Sequence, residues 1–359
     1  MKILIVTGIY PPDIGGPANF TPEFSKFLTG KGHSVQVLTL SDELGDDGDR
    51  DLHVRRIRRD GKLFRRARTI FWILRYGHAA DKILVTGLYE EVGLASLLIK
   101  TKIIMRIVGD PIWERARNTS AIKENIDEFN QAKSSHTLQR RFLSWSINQG
   151  DLCITPSEQL RDFMHLWGIT RTIKVIPNGV IIPENISKIS DYQSITVSRL
   201  VSWKNVEKVI ETAIKCDVPL RIVGDGPLEN QLSSYQSNNL INLLGRKNKS
   251  EVTSLLKGSN IFFLLSSYEG QSFALTEALA NGMLCVVSDI PGNMQLIKHL
   301  DNGFIFKLMH QEESTQELVK LLSNRNLVED IALNARNYAV ANLNSNVIAN
   351  QIMNEIRKI

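Results

Sequence analysis

The chain has 359 residues, 43% of them hydrophobic and 23% charged, with a net charge of +5. That length exceeds one ordinary core, so two domains are expected, and no apolar run reaches the roughly 18–20 residues that would cross a bilayer as a helix. Three scattered cysteines, Cys153, Cys216 and Cys285, make neither a metal-ligand spacing nor an even disulfide set, which fits small buried side chains in a reducing cytoplasm.

The opening MKILIVTGIYPP reads as a strand over 2–7 and not as a cleaved leader, since prolines follow a short apolar run without a small-residue cleavage site. A helix is expected over 22–30, capped by Thr21, and strands over 34–39, 82–85, 103–108 and 152–154. Punctuation by Pro177, Asn178, Gly179 and Pro183 marks a boundary. The pattern then restarts, with strands over 194–197, 220–223, 241–244, 261–265 and 284–287 and a helix over 205–215. A long last helix over 327–359 is expected to cross back toward the first domain. Short apolar strands alternating with amphipathic helices predict α/β domains with parallel sheets covered on both faces. The expected division is 1–176, 177–335 and a returning helix over 336–359.

Charge is unevenly placed. Up to Asn178 there are 26 Lys and Arg against 20 Asp and Glu, and beyond it 17 against 18. Much of the excess lies in 53–75, where Arg55, Arg56, Arg58, Arg59, Lys62, Arg65, Arg66 and Arg68 are interleaved with Leu63 and Phe64 and followed by Phe71–Leu74. Such a segment suits an anionic membrane surface. No nucleic-acid motif accompanies it, and a solvated helix face with Phe71–Leu74 as its buried side is the plainer alternative.

Candidate chemistry gathers after the strands. Gly15 and Gly16 follow the first strand and precede a helix, where backbone amides can approach a phosphate. A G-x-G-x-x-G dinucleotide fingerprint is absent both there and at Gly224-Asp225-Gly226-Pro227, which disfavours a nicotinamide enzyme. Arg199 and Lys204 follow a strand of the second domain and could bracket a diphosphate as it leaves. Most specific is Ser266–Asp289, in which Glu269 and Glu277 are separated by seven residues. Ser272 can cap the next helix, leaving the amides of Phe273 and Ala274 aimed at an anion, while Glu277 can accept from vicinal hydroxyls. Asp47-Gly48-Asp49 matches the D-x-D pattern of cation-dependent sugar transfer, but it lies in an acidic segment, 41–51, that reads as a strand-free, solvated loop, so no metal is expected.

Together the stretches around Gly15-Gly16, KGHSVQVLT, VIPNGV, SRLVSWKN, VGDGP and EGQSFALTEALANG resemble the retaining, nucleotide-sugar-dependent glycosyltransferases of family 4. That resemblance spans nearly the whole chain and implies the GT-B architecture, two Rossmann-like doubly wound parallel-sheet domains facing a central cleft. It implies that Glu269 holds donor-sugar hydroxyls and Glu277 the ribose. Arg199, Lys204, Gly16 and the amides of Phe273 and Ala274 would bind the diphosphate, with Gly245 and Arg246 near the base. Many members carry a His after an N-terminal strand. Here that strand runs into Gly109-Asp110-Pro111-Ile112-Trp113-Glu114, so Asp110, then Glu114, is the expected polar group at the reaction centre, the alternative being that Asp110 caps a helix beginning at Pro111. The implied reaction passes a hexose or N-acetylhexosamine from a UDP-sugar, with a GDP-sugar as second choice, to a glycan or polyprenyl-linked acceptor in surface polysaccharide assembly, without metal or other cofactor, in the cytoplasm or on the inner membrane face. A sugar-nucleotide 2-epimerase and a non-catalytic nucleotide-sugar binder are the rival readings.

Overall fold

The computed structural model describes residues 1–359 apart from 14, 43–44, 49–51, 119–121, 123, 132–136 and 187–190. The chain divides into two compact units, Met1–Pro177 with Ile348–Ile359, and Asn178–Val347.

In chain order the first unit contains β1 (Lys2–Val6), α1 (Gly16–Gly30), β2 (Ser34–Ser41), β3 (Gly45–Gly48), β4 (Leu52–Arg58), α2 (Lys62–Gly77), β5 (Lys82–Val85), α3 (Tyr89–Ala95) and β6 (Lys102–Arg106). It continues with α4 (Pro111–Asn118), α5 (Ile126–Gln131), α6 (Leu138–Ile147), β7 (Leu152–Thr155), α7 (Glu158–Leu166) and β8 (Ile173–Val175). The strands lie in the order β3-β4-β2-β1-β5-β6-β7-β8. All pairs are parallel except β3 with β4. Central strands are buried on both faces, hence their unbroken apolar runs, such as Ile3–Val6 and Ile83–Val85.

Several local expectations change. The first helix begins at Gly16, not at residue 22, with Pro22 inside it and Thr21 buried rather than capping. Part of the basic segment is strand: β4 buries Val54 and Ile57, which lie three residues apart and so on opposite faces, and leaves Arg55 and Arg56 half-buried and Arg58 exposed. Segment 41–51 is not strand-free, because β3 carries Asp47 and Gly48 antiparallel to β4; Asp49 lies outside the described residues.

The second unit contains β9 (Ser194–Val197), α8 (Val206–Lys215), β10 (Leu220–Val223), α9 (Glu229–Leu232), β11 (Ile241–Gly245), α10 (Lys249–Lys257), β12 (Ile261–Leu264) and α11 (Phe273–Ala280). It ends with β13 (Leu284–Ser288), α12 (Pro291–Met294), β14 (Phe304–Phe306), α13 (Gln311–Leu322) and α14 (Arg325–Asn342). Its sheet is parallel in the order β11-β10-β9-β12-β13-β14. The chain therefore winds outward from β9 to one edge, then restarts at β12 toward the other. One apolar cluster packs α8 and α13 on the sheet and a second packs α11 and α14. The long last helix is two helices, α14 and α15 (Ser345–Lys358), parted where Asn344 bridges to Val180. From Ile348 onward α15 belongs to the first unit, where Glu355 approaches Lys174 at 4.0 Å.

The three cysteines are free, Cys153 in β7 and Cys285 in β13 being buried. Burial pushes the Cys153 thiol up to about 12 and the Cys216 thiol up to about 11. None is a poised nucleophile at neutral pH.

Candidate active site

Ligands of open parallel sheets sit beyond the carboxyl ends of the strands where the winding reverses. In the second unit that point lies between β9 and β12, and the loops leaving those two strands are tied together. Asn205, in a left-handed conformation before α8, donates from Nδ2 to the Leu265 carbonyl at 2.8 Å and to Ser267 Oγ at 2.9 Å. Ser267 N returns a bond to the Trp203 carbonyl at 2.7 Å. These bonds bring together two predicted residues 65 positions apart. Lys204 Nζ donates to Glu269 Oε1, and Ser266 Oγ donates to the same oxygen at 2.7 Å. The pair is mostly enclosed, its side chains 18% and 8% exposed. Among the described residues Glu269 Oε2 takes no hydrogen bond from the protein.

Two glycines make this geometry possible. A Cβ on Gly224 would lie 1.8 Å from the Ser198 carbonyl oxygen, so only glycine lets the turn after β10 rest on the Ser198-Arg199-Leu200 loop. Leu200 N then reaches the Asp225 carbonyl at 2.8 Å. On the other side, a Cβ on Gly292 would lie 2.0 Å from the Glu269 carbonyl oxygen, so α12 backs directly onto the loop carrying Glu269.

Ser272 caps α11, its hydroxyl accepting from Leu275 N at 3.3 Å. The preceding amides, Phe273 and Ala274, are the ones a helix leaves without carbonyl partners. Glu277 stands half-buried on the second turn of the same helix. The segment before α11 is held by Asn178, whose N donates to Gln271 Oε1 at 2.6 Å and whose Nδ2 donates to the Gln271 carbonyl at 3.0 Å. Sequence reasoning left out Ser266, Gln271, Asn205 and Gly292. Asn178, Asn205, Ser266 and Gln271 all lie in stretches the sequence singles out, but nothing in the spacing shows their hydrogen bonds; Gly292 carries no such signal.

Arg199 is exposed at the rim after β9. Gly245 ends β11, next to β10, and its carbonyl accepts from Gly224 N at 3.0 Å. Arg246 reaches Asp225 at 3.8 Å, both side chains about half exposed.

In the first unit the winding reverses between β1 and β5. Gly15 precedes α1, Gly16 begins it, and the loops after the two strands touch at Gly8 and Gly87. Asp110, the expected reaction-centre group, has another role. It is fully buried, pairs with Arg140 at 2.6 Å, and accepts from Ile112 N at 3.0 Å and Trp113 N at 3.1 Å. Those bonds cap α4 at Pro111. Arg140 also stacks 4.4 Å over Trp167. With no face open to a ligand, Asp110 holds α4 in place; its neighbour Glu114 is only half-buried, lying over Gly109.

Among the described residues no three His, Cys, Asp or Glu side chains gather as metal ligands, and no helix is long and apolar enough to cross a membrane.

Comparison with known proteins supplies the context. Residues 15–179 match the family described as "Glycosyl transferase 4-like domain", and residues 181–338 match "Glycosyl transferases group 1". An Escherichia coli UDP-Gal:alpha-D-GlcNAc-diphosphoundecaprenol alpha-1,3-galactosyltransferase is 31% identical over 198 residues, 48% of this chain and 50% of that protein. The chain thus spans about half the length of that curated relative. A Bacillus anthracis N-acetyl-alpha-D-glucosaminyl L-malate synthase is 26% identical, over 44% of this chain and 43% of its own. Among solved structures, Anabaena HepE in complex with UDP superposes with a TM-score of 0.76 at 19% identity, covering 100% of both chains. The fold is therefore that of the GT-B glycosyltransferases, two Rossmann-like parallel-sheet domains.

Proposed function

From a chain built of a glycosyltransferase 4-like domain followed by a glycosyltransferase group 1 domain, we propose a retaining glycosyltransferase. It moves a hexose or N-acetylhexosamine from a UDP-sugar to a glycan or polyprenyl-linked glycan. The observation that carries this reading is the mostly enclosed Lys204–Glu269 pair at the winding reversal of the second sheet, whose Oε2 has acceptor capacity to spare. A carboxylate so placed accepts from sugar hydroxyls, while the ammonium beside it and the first amides of α11 suit a diphosphate. The E. coli relative's use of UDP-Gal with a diphosphoundecaprenol acceptor, and HepE's binding of UDP, support the choice of donor and acceptor.

In this reaction the bond from the anomeric carbon to the diphosphate oxygen breaks through an oxocarbenium-like state. Lys204, Arg199 and the amides of Phe273 and Ala274 stabilise the departing charge. The acceptor hydroxyl attacks from the face the diphosphate leaves, and its proton passes to the departing phosphate oxygen. Glu269 orients the sugar and Glu277 the ribose. These cations and amides supply the positive charge that a divalent metal would otherwise bring, so turnover persists in chelator.

Thermal-shift titration with UDP, GDP and their sugars tests the donor, because a ligand of the folded state raises the melting midpoint by mass action. UDP and UDP-sugars raise it; a rise with GDP alone overturns the choice of base. Product analysis with and without a lipid-linked acceptor tests the reaction. Epimerised donor in the acceptor-free sample overturns transfer.

A further inference from the structure

We infer that the outward ridge of α2 docks the first unit on an anionic lipid surface. This adds to the reading of a lipid-linked acceptor a means of reaching it. The sequence left open whether 53–75 was a membrane face or a solvated helix with a buried side; α2 has both a buried side and an exposed apolar one. Thr69 and Ile73 face inward. On the opposite side Phe64 and Phe71 stand 79% and 57% exposed, with Leu63 at 82% beside them. Seven residues apart, the two phenylalanines align two turns from each other, about 10 Å along the axis. Arg68 and Arg75 fall on the same line. α2 carries five cations over 16 residues and no acid.

The arginines of β4 are largely engaged within the protein. Arg55 stacks on Trp72, Arg56 on Tyr10, Arg58 pairs with Asp60, and Arg59, just past the strand, pairs with Asp13 and Asp42. On α2 itself Arg66 pairs with Glu90 and approaches Glu91, Arg65 lies 3.9 Å from Glu91, and Arg68 pairs with Asp60 at 2.8 Å. What faces outward is a row of apolar tips with the exposed Arg75 at its end and the paired but half-exposed Arg68 within it, the arrangement that seats apolar groups at the headgroup boundary while cations meet lipid phosphates. Leu97 and Leu98, in the turn after α3, are also exposed, at 64% and 68%. A second copy of the chain fits this ridge poorly, because a symmetric contact would set the cations of one helix against those of the other. A nucleic acid would meet the cations but leave Leu63, Phe64 and Phe71 without apolar cover.

The test sediments the full chain with vesicles of phosphatidylglycerol and phosphatidylcholine, against phosphatidylcholine alone. Binding is expected to the mixed vesicles and at least about tenfold weaker to the neutral ones. Leu63→Asp with Phe64→Asp lowers binding by about tenfold or more, and Arg75→Gln by about fivefold. Both variants keep the wild-type melting midpoint and its rise with UDP, which reads the donor site independently of lipid. The inference is overturned if the wild type ignores anionic vesicles at low salt, or if both variants bind them as the wild type does. It is equally overturned if the substitutions abolish self-association or binding of a duplex oligonucleotide while vesicle binding stands.

Discussion

Each unit places a carboxylate just beyond a strand and pairs it with a distant cation, yet the two pairs are built for opposite ends. Asp110, after β6, meets Arg140 with side chains 0% and 2% exposed, and both its oxygens are engaged by the guanidinium, two amides and the Asn130 amide. Glu269, after β12, meets Lys204 with one oxygen committed and some exposure remaining on both partners. The first pair has given up water completely and can exchange nothing. The second keeps donors and an acceptor in reserve. A carboxylate's motif position says little about which kind it is; enclosure and the count of satisfied lone pairs decide.

The sharpest way to break this comparison is to remove each carboxylate. Glu269→Ala should lower transferase turnover by about 10²–10³ with the melting midpoint little changed, measured as UDP release. A variant that retains full turnover sinks the assignment of the pair to chemistry. Asp110→Ala should act on stability instead, costing about 3–5 kcal/mol in urea unfolding because Arg140 is left buried without its partner. A double replacement by apolar residues of similar volume should recover most of that loss.

Alkaline pH sharpens the comparison of the two sheets, each of which buries one thiol. Burial raises Cys153 to about 12 and also raises Cys285 above the ordinary thiol value of 9.0. Between pH 9 and those higher values the unfolded chain has lost protons that the folded chain keeps. Stability is therefore full below pH 9 and falls as pH rises, by about 1.4 kcal/mol per pH unit for each buried thiol. Urea midpoints at pH 8, 9 and 10 check this, and the Cys153→Ala, Cys285→Ala double variant should show a shallower decline. The smallest effect is expected at α11, the helix proposed to face the donor. Ser272→Ala removes the cap of α11, costing about 1 kcal/mol and raising KM for donor more than it lowers kcat.

Much of the frame was legible because buried parallel strands are written as short apolar runs. The Glu269–Glu277 helix could be read too, since Ser272 and Gly282 bracket it. Strand β4 was missed because Arg55, Arg56 and Arg58 interrupt its apolar residues, and Val54 and Ile57, three apart, make no period-2 pattern. The three-residue strands β8 and β14 are too short to show any period. The break between α14 and α15 rests on Val180 bonding to Leu343 and Ser345, contacts more than 160 positions apart in the chain.

Local chemistry alone marked most of the buried strands, the cap and start of α11 and the polar residues beyond β9 and β12, because backbone geometry and burial act over a few neighbouring residues. Which of those residues meet was decided only by strand order. Placing β12 beside β9 puts Glu269 against Lys204, and packing α6 near the start of α4 hides Asp110 behind Arg140. Neither partnership is encoded in spacing, since each depends on contacts made after the chain has turned back on itself.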